Sequence, residues 1–157
     1  MRTAAAWQHK MSSRKQHIDD FFDQYANTFN KAIKADAPDT EQTAGLYSEC
    51  FIGANPLGVQ CGRNDQQLKD FLKKGYAFYK EIGIVSMEIV VKEITILDEF
   101  HEMTRVRWRS DFIKKNGSTG SIEFENIYFT QTKQNQSKVF AWITGDEQTA
   151  LKAHGLI

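Results

Sequence analysis

From Ile84 to the end of the chain, apolar and polar residues fall into four consecutive extended segments, about Ile84 to Leu97, Glu102 to Lys114, Thr119 to Thr132 and Lys138 to Gly145. The first half has a different period. Ile18, Phe21, Phe22, Tyr25, Phe29, Ala32 and Ile33 recur at helical spacing and predict one amphipathic helix from about Gln16 to Ala35. Pro38 ends it, and a shorter helix is expected from about Asp39 to Glu49, carrying Ala44, Leu46 and Tyr47. Cys50 and Cys61 flank the turn-rich stretch Asn55-Pro56-Leu57-Gly58, which suits a small hairpin with the two thiols facing each other. Asn64 and Gln67 then form a capping pair for a third helix whose Leu68, Phe71, Leu72 and Tyr79 face one way until Gly83 stops it. Residues 1–10 show no such periodicity, and the expected organisation is a disordered extension over 1–15 and one domain over 16–157, with Met1 and Met11 both open as the native start.

The strand register follows from a turn. Lys115-Asn116-Gly117 suits a three-residue hairpin loop with glycine in the left-handed position, which places Lys114 opposite Ser118. In that register Arg107 opposes Glu125 and Arg109 opposes Glu123 on one face, while Trp108 opposes Phe124 on the other. A two-residue loop would set Trp108 against Glu125 and mismatch each pair. Val106, Trp108, Ser110, Phe112, Phe124, Asn126 and Tyr128 therefore face the helices, and Asp111 faces away. The last strand gives no clear side: Val139, Ala141 and Ile143 alternate with Phe140, Trp142 and Thr144, and neither set is polar. A bulged, curved sheet with helices on its concave face and a second copy of the chain on its convex face accounts for this, and predicts a homodimer through the outer sheet face.

Twenty basic and twenty acidic residues cancel, which removes any global field toward nucleic acid or an anionic membrane. No window approaches the ~20 apolar residues of a membrane span, and the N-terminus lacks the apolar core of a secretory signal, so a cytoplasmic location is expected. In cytosol Cys50 and Cys61 are expected as reduced thiols, although the spacing leaves a disulfide open. His9, His17, His101 and His154 are scattered, with no metal-binding spacing and no histidine beside a cysteine, so no metal, cofactor or catalytic thiol is nominated. The acids Asp19, Asp20 and Asp23 read as a solvated face in the first turns of a helix.

The order helix, helix, small hairpin, helix and four long antiparallel strands resembles the NTF2-like superfamily. This is the cone-shaped α+β fold of nuclear transport factor 2, of the SnoaL-like polyketide cyclases and of ketosteroid isomerase. Its carriers are Phe21-Phe22 on the first helix, Gly62-Arg63-Asn64 before the third, Arg105-Val106-Arg107-Trp108 in a long strand and Lys138-Val139-Phe140-Ala141-Trp142 in the last. The resemblance implies three N-terminal helices packed on a curved antiparallel sheet and a short C-terminal helix, for which Asp146 is a candidate cap and Gly155-Leu156-Ile157 a stop. It also implies a cavity that relatives use for isomerisation, cyclisation, epoxide hydrolysis or plain binding.

Carried over residue by residue, the resemblance narrows the chemistry. The paired aspartates of the limonene epoxide hydrolase relatives are replaced by Arg107 and Thr144, so activation of water by two carboxylates is unsupported. Isomerase chemistry needs a carboxylate base in an apolar pocket with a tyrosine and a protonated acid as oxyanion donors; Tyr25, Tyr47, Tyr128 and Asp111 match in residue type only, and the catalytic residues are left unassigned. The candidate ligand-binding set is Tyr25, Tyr47, Trp108, Asn126, Tyr128 and Trp142, for a hydrophobic or aromatic small molecule. The alternative is a non-catalytic dimerisation or protein-interaction module.

Overall fold

The computed structural model describes residues 4–157. The first helix, α1, runs Ala4–Lys34 and so begins well before the expected Gln16. Residues 4–15, expected to be disordered, are helical, while residues 1–3 of that expected extension lie outside the described residues. Two causes act together. Ala, Lys, Arg and Gln are strong helix formers, and long-range ion pairs hold the segment: Lys10 Nζ lies 3.0 Å from Glu99 and Arg14 Nε donates to Glu102 at 2.6 Å. Ile18, Phe21, Phe22, Ala32 and Ile33 are buried as the periodicity requires.

The second helix, α2, is only Thr40–Ala44, capped by Asp39, whose side chain accepts from Gln42 N–H. The expected helix extended to Glu49, but Gly45 closes it and Tyr47 opens a strand instead. Pairing with the last strand captures this segment, with Val139 N–H donating to Leu46 C=O at 2.9 Å. Strands β1 (Tyr47–Asn55) and β2 (Gly58–Arg63) form the small hairpin. Cys50 pairs with Arg63 and Ile52 with Cys61, so the thiols are offset by two positions and do not oppose each other as expected; both are free and exposed. Helix α3 (Gln66–Glu81) is capped by Asp65 and not by Asn64, whose amide donates to Ala44 and Tyr47 carbonyls and ties the hairpin to α2. Leu68 and Tyr76 are its buried residues, whereas Phe71, expected on the inner face, is 70% exposed. Gly83 ends it at φ 92°, where an added Cβ would stand 2.1 Å from Ile113 C=O.

The remaining strands are β3 (Ile84–Ile96), β4 (His101–Ile113), β5 (Thr119–Lys133) and β6 (Gln136–Ile143), followed by helix α4 (Glu147–Ala153) with Asp146 as its cap. All six strands form one sheet, order β2-β1-β6-β5-β4-β3, in which β1 runs parallel to β6 and the other pairs are antiparallel. The β4–β5 register is the one derived from the turn: Arg107 opposes Glu125, Trp108 opposes Phe124 and Arg109 opposes Glu123, with Gly117 at φ 85°. The ion pairs themselves differ from the ladder partners. Arg105 reaches Glu125 at 2.5 Å and Arg109 reaches Asp111 at 3.0 Å, both on the exposed face.

A bulge resolves the ambiguous last strand. Thr130 pairs with Val139 but Phe129 pairs with Ala141, so Phe140 is the extra residue and the inside–outside alternation inverts across it. Val139 is fully buried before the bulge and Trp142 packs inward after it. Trp142 needs room on the neighbouring strand, and Gly53 supplies it: a Cβ there would lie 2.9 Å from the indole ring.

Helix α1 crosses the inner face of the sheet. Asn30 docks it by a two-way amide exchange with the Met87 peptide, each bond 2.8 Å, and Lys92 Nζ lies 3.0 Å from Asp19 and 2.7 Å from Asp23. The acidic cluster of α1 is thus partly an anchor for β3. Beneath the first turns of α1, Glu102 is fully buried and accepts from Arg14, from Thr130 Oγ1 at 2.8 Å and from Thr132 Oγ1 at 3.1 Å. Removing the cation would leave that carboxylate buried with hydroxyl partners alone. The expected result is that Arg14→Ala lowers unfolding free energy by roughly 3–5 kcal/mol and exposes the first turns of α1 to amide exchange. A loss below about 1 kcal/mol, measured by denaturant unfolding, would show that the pair acts as an exposed one.

Candidate functional site

Between α1, the inner face of the sheet and the C-terminal helix lies a cavity of about 210 Å³. Phe29, Ile84, Met87, Ile122, Phe124 and Leu151 give it apolar walls, and Tyr25, Ser110, Asn126 and Thr144 bring polar tips. A second cavity of about 490 Å³ opens beside it between α1, α2 and α3, lined by Leu46, Tyr47, Leu72, Tyr76 and the exposed Phe71 and Phe78 among others. Tyr25, Phe29, Tyr79 and Glu147 line both. The Tyr79 hydroxyl donates to the Glu147 carboxylate, and this bond stands at the junction of the two chambers.

The elements place these groups for local reasons. Alternation along β4 and β5 turns Ser110, Phe124 and Asn126 inward. Helical spacing sets Tyr25 and Phe29 one turn apart on α1. The Asp146 cap starts α4 directly after β6 and so sets Glu147 at the rim, where Asp146 spends both carboxylate oxygens on Thr149.

The six candidate residues from the sequence form one connected cluster, though not all line a chamber. The Trp108 indole N–H donates to the Tyr128 hydroxyl at 3.2 Å, and the Asn126 amide donates to the same oxygen at 3.1 Å. Tyr25 and Tyr47 share a hydrogen bond of 2.5 Å, and Trp142 stands edge-on to Tyr47 at 5.4 Å between ring centres. Tyr25 and Asn126 line the smaller chamber, and Tyr25 and Tyr47 the larger. Trp108 and Tyr128 are buried in the packed core beside the chambers, and Trp142 packs against Tyr47 and Phe51 beyond them. Phe29, Tyr79, Ser110, Phe124 and Glu147 are among the wall residues outside the sequence-derived set. The sequence pattern turns Phe29, Tyr79, Ser110 and Phe124 inward, but Glu147 carries no local signal beyond its position after the Asp146 cap. Asp111 faces outward beside Arg109, consistent with its reading as a surface carboxylate.

Burial raises the pKa of every tyrosine here. For Tyr25 the neighbouring Tyr47 and Tyr128 add to the effect, and for Tyr79 the Glu147 carboxylate does. In Tyr47, Tyr76 and Tyr128 hydrogen bonds from neighbours oppose burial without cancelling it. These hydroxyls are therefore neutral donors, able to orient a carbonyl or hydroxyl group, and Glu147 is the one carboxylate among the wall residues with an oxygen outside a cap.

The chain matches the family described as NTF2-like protein (DUF6841) over residues 14–147, and it belongs to that family. Among solved structures it is similar to an NTF2-like protein with a cystatin-like fold from Novosphingobium aromaticivorans, at 12% identity and TM-score 0.68, covering 100% of this chain and 98% of that one. It is also similar to a ketosteroid isomerase-like protein from Erwinia carotovora atroseptica, at 16% identity and TM-score 0.58, covering 82% and 92%. The association domain of C. elegans CaMKII is a further likeness, at 12% identity and TM-score 0.62, covering 84% and 95%. These structural likenesses show the shared fold, in which isomerase-like proteins and association domains both occur. No curated protein matches the chain.

The tyrosines supply a test by alkaline titration. A phenol whose folded pKa is raised keeps its proton where the unfolded chain releases it, so its stabilisation is complete below about pH 10 and is lost as pH rises beyond that value. All five tyrosines of the chain are raised in this way. Phenolate absorbance is expected to appear together with loss of the circular dichroism signal, in one step. Phenolate appearing near pH ~10 in a chain that keeps its folded spectrum would contradict the buried network.

Proposed function

We propose that this protein binds a hydrophobic or aromatic small molecule in the chamber between α1 and the sheet, whose apolar walls carry the polar tips of Tyr25 and Asn126. The observation that carries the reading is the pairing of apolar walls with a few inward polar tips in a partly enclosed space, the usual make-up of a ligand site. A space of about 210 Å³ is ample for one ring, since an apolar cavity of roughly 150 Å³ accepts benzene. Tyr47, Trp108, Tyr128 and Trp142 stand behind this site and hold Tyr25 and Asn126 in place. Isomerase or cyclase activity of the SnoaL-like kind is compatible with a neutral tyrosine donor, and the base it would require is unassigned. A cytoplasmic setting belongs to the same proposal.

The test is ligand-induced thermal stabilisation across a panel of small aromatic compounds, comparing the natural chain with Ala150→Phe. Ala150 borders the chamber from α4, so the new ring fills the space from outside the sheet. A ligand at a hundred times its Kd should stabilise the natural chain by about 2.7 kcal/mol and the variant hardly at all. Equal shifts in both proteins would place binding elsewhere, and no shift from any compound would refute the reading.

A second reading, a homodimer through the outer sheet face, draws on a different observation. Ladder pairing sets Ile127, Phe129, Ala141, Ile143 and Ile52 on one face with the bulged Phe140, and Phe129 and Phe140 lie 6.2 Å apart between ring centres. Such a face suits an apolar contact ringed by the charged Arg105, Arg107, Glu123 and Glu125. If the face pairs two chains, Phe140→Asp should convert a dimer to a monomer in sedimentation velocity while keeping the folded spectrum. A natural chain that sediments as a monomer would remove this reading.

A further inference from the structure

The smaller chamber is lined by two carboxylates, Asp146 and Glu147, and by no basic side chain. Asp146 is committed to the α4 cap through both of its oxygens. Glu147 is not. Its Oε1 accepts a hydrogen bond from the Tyr79 hydroxyl, and no hydrogen bond or ion pair to Oε2 occurs among the described residues. The rings of Tyr25, Phe29 and Tyr79 border the same junction, with Phe29 and Tyr79 5.8 Å apart between centres.

We propose that the bound molecule is an arylalkylamine, with its ring in the smaller chamber and its ammonium group at the Glu147 carboxylate. This rests on the small-molecule reading above and adds the charge of the ligand. Three physical terms agree. The carboxylate offers a charge-assisted hydrogen bond to an ammonium donor, and the faces of Tyr25, Phe29 and Tyr79 attract a cation by their quadrupoles. An anionic head group at this position would meet Glu147 with no lysine or arginine in the smaller chamber to offset the repulsion; Lys74 lines only the larger one. The chamber volume admits one aromatic ring with a short linker, so a ring seated in the chamber can carry its amine to the junction at Glu147.

The test uses three probes of one shape and different charge: 3-phenylpropylamine, 3-phenylpropanol and 3-phenylpropanoate, titrated into the full chain and followed by protein-observed NMR. The amine is expected to bind roughly tenfold more tightly than the alcohol, with the carboxylate weakest, and the amine-to-alcohol ratio is expected to shrink as salt is raised. Glu147→Gln, an exposed position in a short helix, should bring that ratio close to one. An alcohol that binds as well as the amine, a carboxylate that binds as tightly, or a ratio unchanged in Glu147→Gln would overturn the proposal while leaving the chamber as a binding site. Absence of any shift from all three probes would overturn both the charge preference and the small-molecule reading.

Discussion

The Tyr128 hydroxyl accepts hydrogen bonds from the Trp108 indole and the Asn126 amide while its ring lies against Phe22 and Tyr25, so sheet and long helix meet around a buried polar oxygen that must be satisfied within the protein. Much of the interior follows from this. Trp108 can reach that oxygen only when β4 and β5 pair in the observed register, which in turn fixes Ser110, Phe124 and Asn126 on the inner face. Tyr25, wedged among Tyr47, Trp108 and Tyr128, fills the space above the junction. Beyond it, toward α4, a chamber remains.

The molecule therefore has two ends with different duties. At one, Arg14, Glu102, Thr130, Thr132 and Ser137 make a buried polar network that clamps the first turns of α1 to the sheet, and His17 reaches it through Ser137. At the other, α1 and α4 bridge a partly empty interior whose polar groups include tyrosine, serine and threonine hydroxyls, an amide and the available carboxylate of Glu147. A closed, ion-paired end can supply the rigidity that an open end lacks, because ordering a cavity wall gains few contacts of its own. Membership of the NTF2-like family is compatible with binding, catalysis or assembly, so the choice among them rests on the chamber and on the outer face of the sheet.

Much of this was legible in the sequence where two local signals coincide. The Asn116-Gly117 turn, the Arg–Glu alternation and the Trp108–Phe124 pair all select one register, and that register is present. The signal fails where one residue shifts the period. The bulge at Phe140 puts Val139 and Trp142 on the same side, so a strict two-residue alternation cannot assign β6. It fails again where long-range contacts decide local structure: the helical state of residues 4–15 is supported by Glu99 and Glu102, far along the chain, and Tyr47 leaves its expected helix because β6 offers a strand partner. For the site, Tyr25 and Asn126 could be read from their inward faces. Glu147 could not, because an acidic residue in the first turn of a helix looks like ordinary dipole compensation until α3 brings Tyr79 to it.

The core built on Tyr128 leaves an accessible space between α1 and the sheet. Crystals of the protein pressurised with xenon test it most directly, since an apolar cavity of this size takes up the gas without any assumption about ligand chemistry. A xenon peak bounded by Phe29, Ile122 and Phe124 is expected. A well-ordered interior in which those side chains close on one another and no peak appears would contradict it.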